Sequence, residues 1–337
     1  MFKWFADALG GIYNVIYAVQ AEVFHIYSVV PAVCLFLLFF AAVLFPLVYQ
    51  VQKETVFKPF LDTKTADIRS ACERDVKHLT DAGEDPLSDT VIRRQLQMER
   101  DVKKIRKSYH VTKGFGKSLW AVRIFLVILT WGMLASLPAY MPRLQYIYKN
   151  LTAYVTEYGY SNTYVKVTGV LPGSNLKNYN ALYRLTPKDW DALSSGMDNL
   201  QPIVDGVRKG SARITGIGGI SLGAAPLEDA KDGYPAAILF AVLTEILFLP
   251  LMLIRSGSTS GSTSKLVAEK DRKVFARILL LCRIASAVFS VWIMAHLSAM
   301  LCLASAFIGA LQLLSDTLAR MMAKRVLRKT ILRDKKK

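Results

Sequence analysis

Four blocks of this sequence are almost without charge, and each is long enough to cross a bilayer. Residues 23–52 hold no Lys, Arg, Asp or Glu, residues 118–142 hold only Arg123, residues 233–254 hold only Glu245, and residues 284–315 hold none. One helix spans the hydrocarbon core with about 20 predominantly apolar residues. The last block keeps its apolar character back to Val274, too far for a single helix. It predicts two helices with a tight turn near residues 295–298. The chain therefore reads as an all-α membrane protein with five transmembrane helices, at 23–52, 118–142, 233–254, 274–295 and 297–319. Apolar residues make up 53% of the chain, and their concentration in these blocks excludes an ordinary soluble protein.

Ahead of the first span, Trp4, Phe5, Leu9, Ile12, Tyr13, Ile16 and Tyr17 recur at helical spacing. They predict an N-terminal amphipathic helix over 1–22, lying on the membrane surface. The stretch lacks the compact apolar core and small-residue cleavage site of a secretory signal. The net charge of +17 is distributed unevenly. Segment 53–117 carries 15 Lys and Arg against 11 acidic residues, 255–273 carries five against two, and 317–337 carries nine against one. The segment 143–232 carries ten against eight. Basic residues beside span ends mark the cytoplasmic side. The N-terminal helix and the loop 143–232 then lie outside, and the C-terminus lies inside, as an odd number of spans requires.

Residues 53–117 read as a cytoplasmic helical hairpin. AGEDPLSD at 82–89 breaks it, with Asp85 or Ser88 available to cap the second arm. Glu73–Lys77 and Glu99–Lys103 stand in the favourable i, i+4 order. RSGSTSGSTSK at 255–265 is a flexible linker within the cytoplasmic loop 255–273. The basic tail 320–337 admits two readings: an anchor to anionic lipid through Lys324, Arg325, Arg328, Lys329 and Arg333, or a contact with ribosomal RNA. In the external loop, TPKDWDALSSGMDNLQ is one helix-like piece, and Asn150-Leu-Thr fits a glycosylation sequon of a kind that arises often by chance. The cysteines at 34, 72, 282 and 302 and the scattered histidines have no metal-ligand spacing, so no metal or cofactor is expected.

The order of these parts resembles the YidC/Oxa-type membrane-insertase family, with this chain a divergent member. LFPLVYQVQKE (44–54) looks like the end of the family's first core span, and KGFGKSLWAVRIF (113–125) like its entry into the second. GISLGAAP (219–226) followed by VLTEIL is similar to the motif opening the third span, and MAHLSAMLCLASAFIGALQ (294–312) resembles the start of the fifth. Bacterial members usually carry an arginine in the first span where this chain has Ala41, and a turn proline where it has Ala295. The resemblance implies a bacterial inner-membrane protein that performs no covalent chemistry. It implies nascent membrane proteins as clients, and the ribosome, the Sec translocon and anionic lipids as partners, with no role for DNA.

The resemblance further implies a hydrophilic groove at membrane depth. Its candidate residues are Arg123, Arg283, Glu245, Ser305 and Gln312, with Tyr49, Gln52 and Lys53 at its cytoplasmic mouth. Arg123 lies about 8 Å into its helix at 1.5 Å per residue, where it would supply the charge missing at Ala41 or snorkel to the headgroups. Glu245 sits near mid-span and is expected to pair with Arg123 or Arg283, or to stay protonated. The other functional class is a small secondary transporter or channel working through Glu245 and the arginines. No internal repeat is visible and five spans do not halve, which favours the insertase.

Overall fold

A computed structural model describes residues 2–112, 114–217, 220–223, 225, 281, 285, 292, 296 and 298–334. The described chain is helical apart from one pair of two-residue strands. The helices are α1 (Phe2–Val23), α2 (Val29–Asp81), α3 (Asp89–Ser108), α4 (Phe115–Ala135), α5 (Pro142–Glu157), α6 (Ser161–Thr168), α7 (Leu176–Tyr183), α8 (Pro187–Ser195), α9 (Gln201–Thr215) and α10 (Ala299–Asp334). Short 3-10 turns at Leu137–Tyr140 and Asp198–Leu200 join α4 to α5 and α8 to α9. Strands β1 (Gly216–Ile217) and β2 (Ile220–Ser221) pair antiparallel, Gly216 opposite Ser221. Among the described residues three helices, α2, α4 and α10, are long and apolar enough to cross a membrane. The expected spans at 233–254 and 274–295, and the loop 255–273, lie outside the described residues.

The contacts divide the chain into two compact units, one of residues 1–40 and 125–311, the other of residues 41–124 and 312–337. In the first unit α1 packs by Leu9, Tyr13, Tyr17 and Ala21, each one turn from the next. They meet Val29, Val33 and Phe36 of α2 and Met133 and Leu134 of α4 in one core. The face of α1 turned to that core includes Leu9, Tyr13 and Tyr17, three residues the sequence places against the membrane surface. Trp4, Phe5, Ile12, Val15, Val19 and Val23 are exposed large apolar residues of the same helix. Side-chain volume at Gly10 is excluded by the Tyr140 ring, whose Cδ1 lies 2.0 Å from where a Cβ would stand.

The segment after α4 holds more than the one helical piece marked in the sequence. It holds five helices, because each carries its own apolar stripe. Leu144, Tyr148, Leu151 and Val155 of α5 are fully or almost fully buried at i, i+4, i+7 and i+11. Each such aliphatic side chain contributes about 1.5–3 kcal/mol on burial. On α9 the matching stripe is Val204, Val207, Ser211 and Ile214. Thr186 and Asp189 form a reciprocal cap on α8: the Thr186 hydroxyl accepts from the Asp189 amide at 3.2 Å and the Asp189 carboxylate accepts from the Thr186 amide at 3.0 Å. Thr152 of the sequon is buried, its hydroxyl donating to the Lys149 carbonyl at 2.9 Å.

In the second unit α3 returns antiparallel beside the second half of α2. Arg94 Nε donates to Asp75 at 2.8 Å, and the rings of Phe60 and Tyr109 meet edge to face at 5.3 Å. The turn between them has Gly83 at φ +90°, a left-handed position that favours glycine. Ser88, not Asp85, caps α3 by accepting from the Val91 amide, while the Asp85 carboxylate accepts from the Leu87 amide at 2.8 Å. The charge pairing differs from the sequence expectation. Ion pairs in this unit include Arg94–Asp75, Arg69–Asp62 and Lys104–Asp101, and among the described residues none joins Glu73 to Lys77 or Glu99 to Lys103.

Three buried phenols make the α5–α9 body alkali-sensitive. Burial pushes Tyr148, Tyr164 and Tyr183 well above their ordinary value of 10.0. A group whose pKa is raised on folding stabilises fully below its unfolded value and loses that contribution as pH rises past it. Stability should hold below about pH 10 and fall above it, with phenolate absorbance from these three rings developing only as helical circular dichroism is lost. Tyr148→Phe should flatten that pH dependence. Ionisation of all tyrosines near pH 10 with the helices intact would contradict the assignment.

Candidate functional site

Arg123 is two turns into α4, surrounded by Leu119, Val122 and Ile124 along its own helix. A guanidinium in apolar surroundings is tolerated only with a partner. That partner is Asp316 of α10: Arg123 Nη2 donates to Asp316 Oδ1 at 3.0 Å, and the two side chains are 9% and 14% exposed. One turn away on each helix, Leu119 and Ala319 pack with Val48 of α2. The pair is therefore set where three helices meet within the second unit. The sequence does not pair Arg123 with Asp316. It places Asp316 inside the last span, 297–319, but sets it against no partner. Reckoning depth from the basic ends would have found it, because both charges lie near the same end of two apolar helices.

Lys53 is also engaged. It is buried, donates to the His110 carbonyl at 2.9 Å, and lies over the Phe57 ring at 5.5 Å from the centroid. His110 adopts φ +52° just beyond the end of α3, in the left-handed region that non-glycine residues seldom visit. Tyr49 is half-buried against the Val48, Leu119 and Ala319 cluster, and Gln52 is half-buried beside Lys53. The structure thus brings Tyr49, Lys53 and Arg123 into one unit, and gives both cations partners within the protein. Between α2 and α3 runs a cleft of about 1430 Å³ that begins at Gln50 and extends past Arg69 and Cys72 toward Thr80. The Gln50 side-chain oxygen and the Arg106 Nε are buried there without a hydrogen-bond partner. Such groups are satisfied by water or by a bound polar segment.

The remaining predicted residues are dispersed. Ser305 lies in the first unit, where its hydroxyl accepts from the Trp131 indole nitrogen at 3.1 Å. Gln312 is half-buried on α10 and its carbonyl accepts from Ser315 at 2.9 Å. Arg283 and Glu245 lie outside the described residues. The basic residues of the tail are not on a loose tail but on the last three turns of α10. Lys324, Arg325, Arg328, Lys329 and Arg333 are all exposed, at spacings that gather them on one face. The opposite face carries buried Ala323, Leu327 packed toward Phe57 and Leu61, and Asp334. Asp334 accepts from the Tyr109 hydroxyl at 2.8 Å and pairs with Lys64 at 3.3 Å. Burial first, and the Asp334 carboxylate second, push the Tyr109 phenol up.

Among the described residues, no cluster of three His, Cys, Asp or Glu side chains could hold a metal ion. No protein-family model matches the chain, and neither a curated protein nor a solved structure matches it.

The ion pair is open to a direct test by double-mutant cycle. Arg123→Ala leaves Asp316 buried and uncompensated, so full-length protein in detergent should lose about 3–5 kcal/mol. Arg123→Leu combined with Asp316→Leu should recover most of that loss. Additive losses in the double variant would mean that the two side chains do not depend on each other.

Proposed function

We propose that this protein is a membrane-protein insertase and chaperone. It passes the polar end of a nascent segment through a hydrophilic path at membrane depth and makes or breaks no bond. The observation that carries this reading is the buried Arg123–Asp316 pair at the foot of apolar helices. Intramembrane charges are expensive, and where they persist they commonly line a polar path. Asp316 holds Arg123 while no client is present. An acidic residue on a client then exchanges for Asp316, so the charge is never left unpaired during transfer.

The other parts fit that role. Five spans set the N-terminus outside and the basic segments in the cytoplasm, and the α2–α3 hairpin stands off the inner face of a bacterial inner membrane. Helix α2 is 53 residues long, about 80 Å at 1.5 Å per residue, against a hydrocarbon core of about 30 Å. Its second half therefore reaches far beyond a membrane. The basic face of α10 suits ribosomal RNA or anionic lipid, and the cleft that starts at Gln50 offers a client both apolar wall, from Val76, Met98 and Val102, and charged groups such as Arg69 and Glu73. Arg283, Glu245, Ser305 and Gln312 complete the path in this reading, and the Sec translocon is a candidate partner.

Complementation tests it. The chain is expressed in bacteria depleted of their own insertase, and insertion of a single-span client with an acidic external tail is followed. Rescue is expected. It should be lost in Arg123→Ala and kept in Asp316→Asn, whose amide oxygen can still accept from the guanidinium while binding it more weakly. A well-expressed, correctly oriented protein that does not rescue would instead favour a transporter or channel that uses Glu245 and the arginines.

A further inference from the structure

Two guanidiniums converge on one aromatic ring in the first unit. Arg143 Cζ lies 4.7 Å from the centroid of Tyr27, and Arg213 Cζ lies 5.8 Å from it. They arrive from different elements. Arg143 is in the first turn of α5, and Arg213 is in the last turn of α9. Both are exposed, and among the described residues neither has a carboxylate partner. Lys209 stands one turn before Arg213, and the two line a groove of about 580 Å³ with Asp205, Arg208 and Ala212. Two acidic groups near this groove have partners of their own: Asp191 pairs with Arg208, and Asp205 accepts from the Ser194 hydroxyl at 2.9 Å.

Cations gathered this way repel one another. An exposed cation–π contact contributes only about 0.5–1 kcal/mol, a weak reason to hold two of them on one ring. An anion between them supplies the missing attraction, and planar guanidiniums match phosphate oxygens in two-pronged hydrogen bonds. The position narrows the choice of anion. Tyr27 comes just before α2, whose apolar run begins at Val29, and Arg143 follows α4 after only the 3-10 turn Leu137–Tyr140. Both therefore stand at the ends of helices that are apolar enough to cross a membrane. Tyrosine and arginine at such ends lie at the depth of lipid headgroups.

We propose that Arg143 and Arg213, gathered on Tyr27, clamp the phosphate of an anionic phospholipid headgroup. The clamp ties the α5–α9 body to the bilayer surface. It requires only the membrane location of α2 and α4, not the insertase activity.

Native mass spectrometry of the full chain in mild detergent tests this. Phosphatidylglycerol should be retained in preference to phosphatidylcholine. Retention should weaken about tenfold for each arginine changed in Arg143→Gln and Arg213→Gln, the equivalent of one lost charge-assisted contact. The pair Arg143→Lys with Arg213→Lys keeps the charge but loses the planar fork, and should still lose about tenfold. Should the glutamine pair fail to fold, the lysine pair decides. Wild-type retention in either pair, or equal retention of the two lipids, would overturn the clamp. Displacement of the lipid by inorganic phosphate at equal concentration would overturn the assignment to a headgroup.

Discussion

A guanidinium cannot be left alone among apolar helices, and the arrangement around Arg123 follows from that constraint. Its answer is a carboxylate from α10, Asp316. Once Asp316 must reach Arg123, the α4 and α10 backbones are held side by side in the second unit. Leu119 and Ala319, one turn from the pair on each helix, pack with Val48. The same logic recurs lower in the unit, where Lys53 is buried only because the His110 carbonyl turns toward it. Both cations sit beside helices whose other faces are apolar. Charge is kept in this protein where a partner is built for it.

Each unit has its own means of cohesion. The first is a packed core of aliphatic and aromatic side chains, in which phenols such as Tyr148 are sealed with a single hydroxyl partner, Ser211 at 2.7 Å. The second is leaner. Its helices meet through small apolar clusters and a set of ion pairs around a wide cleft, so less of its cohesion comes from burial. A surface made this way is available to bind something else, and the exposed basic face of α10 adds charge to it.

That α2, α4 and α10 are long and apolar enough to cross a membrane was legible because a soluble fold seldom has room to bury an uncharged block of about 20 residues or more on every side. The basic segments and the turn at 82–89 were legible for similarly local reasons. The α5–α9 body was not. Its helices are only 8 to 16 residues long, and their apolar stripes are built from tyrosine, threonine and serine as much as from leucine. Composition therefore resembled a polar loop, although Leu144, Tyr148, Leu151 and Val155 kept helical period. Only the TPKD cap of α8 stood out. The partner of Arg123 was missed because Asp316, although inside the span drawn at 297–319, closes an uncharged run and was not weighed among the buried charges. Helix α1 was read with one apolar face, when it has a buried stripe and an exposed one.

The insertase reading requires a client to touch polar residues along α2 and α10. Photo-reactive residues placed at Gln52 and Gln312, with ribosome-bound nascent membrane protein as client, test this most directly. Client adducts are expected at both positions and none from Leu171, which is 75% exposed on the α5–α9 body. Adducts that are absent from Gln52 and Gln312, or equally abundant at Leu171, would contradict the insertase reading.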